Sequence, residues 1–182
     1  VFSSPHGEIH KTQSLLKEIA AEELVSPMAF SLSVHNTASG LNSIVTENRM
    51  ASTALAAGTS TLESAVIDAV IRQQAEDNSP VLLVYGDEPL PDFYQKFGGT
   101  ATIPYAIALL IDAQPSKADG NPYFELGFVP KNDNAIEPVT GELNRGLEVL
   151  SFMGDPSSNA LLVPGERVVW HWRKVAGDSL GG

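Results

Sequence analysis

The apolar positions change period several times along the chain, and each change marks an element. From Lys11 to Glu22 they fall at Leu15, Leu16, Ile19 and Ala20, the spacing of one helical face, with Thr12 or Gln13 near the start. Ser26-Pro27 closes that segment, because the residue before proline avoids helical dihedrals. Val1 to Glu8, ahead of it, reads as a turn-rich entry. His35 to Val45 predicts a second short helix that stops at Glu47-Asn48. Its small residues Ala38, Ser39 and Gly40 suggest close packing against another backbone. Ala51 to Ala57 is small and uncharged, as expected of a buried strand. After Gly58, Leu62, Ala65, Val66, Ala69 and Val70 return to helical spacing, so a largely buried helix opens at Thr59-Ser60-Thr61-Leu62-Glu63.

In the second half, Val81 to Tyr85 is a continuous apolar run typical of a fully covered strand, ending in Gly86-Asp87-Glu88-Pro89. Ala106 to Asp112 is another such run. Gln114 to Pro122 reads as a polar loop, Tyr123 to Val129 as an alternating strand, and Lys131 to Thr140 as loop again. Leu143 to Met153 predicts a helix, and Glu166 to Lys174 a final strand. Strands alternate with helices in the first half, which argues for an α/β fold with a mixed sheet covered by helices. No internal repeat or linker divides residues 1–182, which are expected to form a single domain.

Composition narrows the function. With 43% apolar and 18% charged residues, a chain of 182 is globular and large enough for a sizeable core. No apolar run approaches the roughly 18–20 residues that span a bilayer, so membrane insertion is not expected. The longest, Ile103 to Ala113, is interrupted by Pro104 and Tyr105. The absence of cysteine removes disulfides, thiolate metal sites and cysteine nucleophiles together, and fits a cytoplasmic protein. A formal net charge of −11 repels nucleic acid and anionic membranes. Val1 is not an initiator Met and no signal-peptide pattern follows it, as in a processed or partial form of something longer.

The break at Gly58 is where the chemistry would be. A strand that turns abruptly into a helix N-terminus is where many α/β enzymes place a nucleophile, since free N–H groups and the helix dipole stabilise developing negative charge there. Glycine has nothing to attack with. Ser60 carries the one hydroxyl that a nucleophile hypothesis could use, and its simpler role is to cap the first helical turn. His6-Gly7-Glu8-Ile9-His10 approaches a zinc-helix pattern but has Gly where that pattern needs Glu, so no metal is expected. His171 reads as a packed or surface residue of the last strand, and Asp87-Glu88 as a solvated turn at a strand end that can also serve function. His35-Asn36, polar in an apolar stretch, calls for hydrogen-bond ties to a neighbouring loop.

These pieces in order resemble a known family. Ser26-Pro27, Asn36 and Gly40, then Ala54-Leu55-Ala56-Ala57-Gly58-Thr59-Ser60, then the Val81 strand, are similar to the N-terminal half of β-ketoacyl synthases of the thiolase-like fold. The likeness runs over roughly Ser4 to Asp112, and Gly58 stands where those enzymes carry their active-site cysteine. The wording SPMAFSLSVHN, STALAAG and VLLVYGDEPLP is closer still to the cysteine-less relatives called chain length factors, which pair with a true ketosynthase in aryl polyene clusters. The resemblance implies a thiolase-like fold and a subunit inactive alone: without cysteine, acyl transfer to the protein cannot begin. The histidines that a ketosynthase draws from its C-terminal half have no recognisable counterpart either.

The resemblance further implies a heterodimer with a full-length β-ketoacyl synthase, in aryl polyene, polyketide or fatty-acid-type elongation, with no cofactor. The strand Ala51 to Ala57, Thr53 and Leu55 in it, would pair across the interface. The loop Pro27-Met28-Ala29-Phe30 before the Asn36 helix would line the partner's acyl tunnel, unless Met28 and Phe30 are ordinary core. An acyl carrier protein, itself acidic, would dock on the partner. Two rivals stand beside this: a hydrolase or acyltransferase using Ser60, and a homodimeric acyl-chain-binding module.

Overall fold

In a computed structural model, residues 1–75, 78–97, 101–112, 123–131 and 144–175 are described. The elements in chain order are β1 (Phe2–Ser3), α1 (Ile9–Ala20), α2 (Pro27–Ser31), α3 (Thr37–Val45), β2 (Ala54–Leu55), α4 (Thr61–Ala75), β3 (Val81–Asp87), α5 (Asp92–Gln95), β4 (Tyr105–Ile111), β5 (Tyr123–Pro130), α6 (Arg145–Gly154), β6 (Ala160–Pro164) and β7 (Val168–Val175). A four-stranded mixed sheet has the order β2-β1-β3-β4, with β1 parallel to both neighbours and β4 antiparallel to β3. A three-stranded antiparallel sheet has the order β5-β7-β6.

One buried cluster joins the two sheets. Leu62, Ala65, Val66 and Ala69 of α4 meet Leu83 and Tyr85 of β3, Ile107 of β4, Val149 and Phe152 of α6, Val163 of β6, and Trp170 and Trp172 of β7. The helical periodicity after Gly58 therefore marks the central helix of the fold. That helix fixes the position of everything near its N-terminus.

Several expectations are corrected. The entry segment contains β1, an interior strand of the mixed sheet; Phe2 N–H donates to the Thr53 carbonyl at 2.8 Å and Val84 N–H to that of Val1 at 2.8 Å. Two residues carry too little pattern to register as a strand. The first helix starts two residues early and ends at Ala20; of its apolar face only Leu15 is buried. In α3 a Cβ on Gly40 would meet nothing within 4 Å, so that glycine does not serve close packing. The covered strand expected over Ala51–Ala57 shortens to Ala54–Leu55, half-buried at the sheet edge. β3 and β4 bury one face each, against α4 and α6, and leave Leu82 and Leu110 exposed on the other among the described residues. β6 has no counterpart among the predicted strands; its run Ala160–Pro164 is short and bounded by loop residues. The loops read over 114–122 and 132–140, and Leu143, lie outside the described residues.

Candidate functional site

The head of α4 is built by local rules. Gly58 takes φ +55, the left-handed region that favours glycine, and opens a single 3₁₀ turn through Ser60. The hydroxyl that caps this turn belongs to Thr61 and not to Ser60. Thr61 Oγ1 donates to the Gly58 carbonyl at 2.7 Å and accepts from Ala57 N–H at 2.9 Å. Ser60 Oγ instead accepts from the Trp170 indole N–H at 2.9 Å, across more than a hundred residues of sequence.

The turn between β6 and β7 closes over this head. A Cβ added to Gly165 would lie 2.7 Å from Ser60 Oγ, and one added to Gly58 would lie 2.9 Å from Glu166 Oε1. Trp170, Gly165 and Glu166 are thus the residues that sequence reasoning missed. Their only signal was the Trp-x-Trp alternation of the last strand. No hydrogen bond among the described residues joins Ser60 to a histidine. His10 Nε2 lies 2.8 Å from the Pro89 carbonyl, and His35 Nε2 lies 2.8 Å from that of Ser4, the tie expected of His35. The arrangement holds the hydroxyl as an acceptor, with no hydrogen-bonded base among the described residues to remove its proton.

His6 and His10 do not share a helical face: Gly7 adopts φ +56 and α1 begins at Ile9. Among the described residues no group of three or more His, Asp or Glu could hold a metal ion. Asp87 is buried at the end of β3 and is not a solvated turn residue. Burial pushes its carboxyl above the usual range, partly offset by Glu88 N–H donating to Oδ1 at 2.9 Å. Beside it Tyr85 and Tyr105 are held protonated by burial, and Tyr105 Oη accepts from Gly146 N–H at 3.0 Å.

A second polar group lies inside, on the first turn of α4. Glu63 is fully buried, and among the described residues neither carboxylate oxygen has a hydrogen bond of good geometry. The Trp172 indole N–H is also unpaired, although it lies near enough to favour the anion. Desolvation dominates and pushes the Glu63 carboxyl up, opposed by its own backbone N–H, then by Arg145 and the Trp172 indole. Arg145 is itself engaged, donating to the Pro164 carbonyl at 2.6 Å and standing 3.9 Å from Glu148.

The residues expected at an interface lie elsewhere, on the surface. Pro27–Phe30 is not a loop but most of α2, with Pro27 in the first turn and Ser26 Oγ accepting from Ala29 N–H at 3.5 Å. Met28 is 73% and Phe30 61% exposed, so neither is core. Asn36 is exposed ahead of α3, where Leu41, Ile44 and Val45 are exposed too. Thr53 and Leu55 are half-buried, and β2 has no strand on its outer side among the described residues. No described helix is long and apolar enough to cross a membrane.

Against known proteins, residues 1–173 match the family described as the β-ketoacyl synthase N-terminal domain, a longer stretch than the motifs alone delimited. Among solved structures, the chain is similar to a chain of the ketosynthase (ApeO) in complex with its chain length factor (ApeC) from Xenorhabdus doucetiae. The TM-score is 0.77 at 25% identity, over 94% of this chain and 67% of that one. No curated protein matches.

Proposed function

The chain belongs to the β-ketoacyl synthase N-terminal domain family, and from that premise we propose that it is a non-catalytic, chain-length-factor-type subunit that pairs with a full-length β-ketoacyl synthase. The reading supposes one domain over 1–182 acting in aryl polyene, polyketide or fatty-acid-type elongation in the cytoplasm. The observation that carries it is the head of α4. The position that would bear the nucleophile is a glycine in a left-handed conformation, under the turn between β6 and β7. A chain with this family's scaffold and no attacking group acts through its surface.

That surface supports pairing. Met28, Phe30, Ile44, Val45 and Met50 are large apolar residues left in water, and β2 is an edge strand without a charged side chain to guard it. We assign β2, with Thr53 and Leu55, to pairing across the subunit interface, and α2 to the lining of the partner's acyl tunnel. The solved neighbour is itself a ketosynthase with its chain length factor, which favours this reading. A net charge of −11 makes this subunit a poor dock for an acidic carrier, which would bind the ketosynthase.

The test is co-expression with a ketosynthase from the same gene neighbourhood. The proposal expects a stable one-to-one complex that elongates acyl chains, and a chain that makes no product alone. Product formed by the purified chain free of ketosynthase would overturn it, as would a failure of the two to associate.

A further inference from the structure

The role of Glu63 is not accounted for by pairing or by the lost nucleophile. It sits on the first turn of α4 with no exposure, and among the described residues neither its carboxylate oxygens nor the facing Trp172 indole N–H has a hydrogen bond of good geometry. Buried polar groups in native proteins are nearly always satisfied, so three orphan atoms together at a seam need a reason. The seam is between α4 and β7. Trp170 and Trp172, two residues apart on β7, point to one side of the strand. Trp170 holds α4 at Ser60 by a 2.9 Å hydrogen bond, and Trp172 meets it at Glu63.

The groups facing Glu63 set its charge. From α6 come Arg145 and Glu148, from β3 Tyr85, and from β7 Trp172; Tyr105 and Asp87 lie beyond Tyr85. Arg145 is the only cation among them, and it is directed to the Pro164 carbonyl and to Glu148. An ionised Glu63 would therefore be a buried anion favoured only by its own backbone N–H, the Trp172 indole N–H and an Arg145 engaged elsewhere, which does not offset the cost of its desolvation. A protonated one is a neutral group that the seam accommodates.

We propose that Glu63 is a proton-controlled joint: held neutral, it seats α4 against β7, and its ionisation loosens the contact between the two sheets. The sign follows from linkage. The folded state raises this carboxyl above its ordinary value of 4.5, so its favourable contribution is complete below that value and is lost as pH rises toward the folded one.

Thermal unfolding of the full chain and of Glu63→Gln, from about pH 5 to about pH 9, tests this. The wild type should lose about 3 °C or more relative to the variant over that range, since glutamine keeps the shape without the charge. Asp87 and Glu148 are present in both proteins, so the difference between the curves reports Glu63 and its coupling to Glu148. Parallel curves would overturn the proposal. So would a wild type that gains on the variant with rising pH, the sign of an ionised Glu63 paired to Arg145. Should Glu63→Gln fail to fold, the wild type alone decides. The Trp172 indole N–H resonance, assigned with Trp172→Phe, should shift with pH while that of Trp170 stays still. An unmoved Trp172 signal refutes the joint.

Discussion

On the proposed reading, a cysteine at Gly58 would put back the atom that a ketosynthase uses, and the structure gives the consequence a magnitude. Gly58 holds φ +55, where an L side chain costs about 1–2 kcal/mol. Replacing glycine also restricts the unfolded chain, an effect of about 0.4–1 kcal/mol in the opposite sense. The added Cβ would stand 2.9 Å from Glu166 Oε1, but this is the far end of an exposed, flexible side chain that can swing aside. The net expectation is a loss of about 1 kcal/mol, or roughly 2–4 °C in Tm for a chain of this size. Gly58→Cys with Glu166→Ala should recover only a small part, because the strain is in the backbone. Neither variant should condense acyl and malonyl thioesters, since no histidine is hydrogen-bonded at this turn among the described residues to activate the thiol. Thermal denaturation and mass analysis of products check the two halves separately. A Gly58→Cys protein as stable as the wild type would refute the backbone argument, and condensation by the purified variant would refute the proposed division of labour.

Asp at Thr53 or Leu55 should abolish co-purification with the partner ketosynthase while the chain keeps its circular dichroism, because either change would bury an unpaired charge at the proposed seam, a cost of several kcal/mol. Phe30→Ala should leave the stability of the isolated chain within about 0.5 kcal/mol of wild type, since Phe30 is 61% exposed. In the reconstituted complex, however, it should lengthen the carrier-bound products, and Ala29→Trp should shorten them. An unchanged product distribution from an intact complex would mean that α2 does not measure the chain. Ser60→Ala should release no less thiol from acyl thioesters than the wild type, and should instead lower stability by about 1 kcal/mol through the lost acceptor for Trp170.

The central helix was legible because its period is long and unbroken: Leu62, Ala65, Val66 and Ala69 all enter the core that their spacing assigns them to. β3, β4, β5 and β7 were legible for the same reason, each running at least seven residues. What failed was local. β1 and β2 are two residues each, and they are strands only because the chain start is drawn between β2 and β3, a fact about residues some fifty to eighty positions away. Pro27 was read as a breaker, whereas after the cap Ser26 it begins α2, since proline is tolerated in a first turn, where its missing N–H is not needed.

The site divides along the same line. Gly58 could be marked from the strand-to-helix break, since that break is contiguous in sequence. Its neighbours Gly165, Glu166 and Trp170 could not, because they arrive from a hairpin more than a hundred residues later. The exposure of Met28 and Phe30 was undetermined for a related reason: a bulky apolar residue reads the same whether it waits for the chain's own core or for another subunit. Only the placement of α2 separates the two cases. With both side chains in water, the proposed reading draws the surface that covers them from a partner, so the hydrophobic drive for that burial would lie outside this chain. On the proposed reading, a head of α4 with a glycine at the nucleophile position and a face that the described residues leave open ask the same thing of the partner: it brings the nucleophile, and it brings the surface.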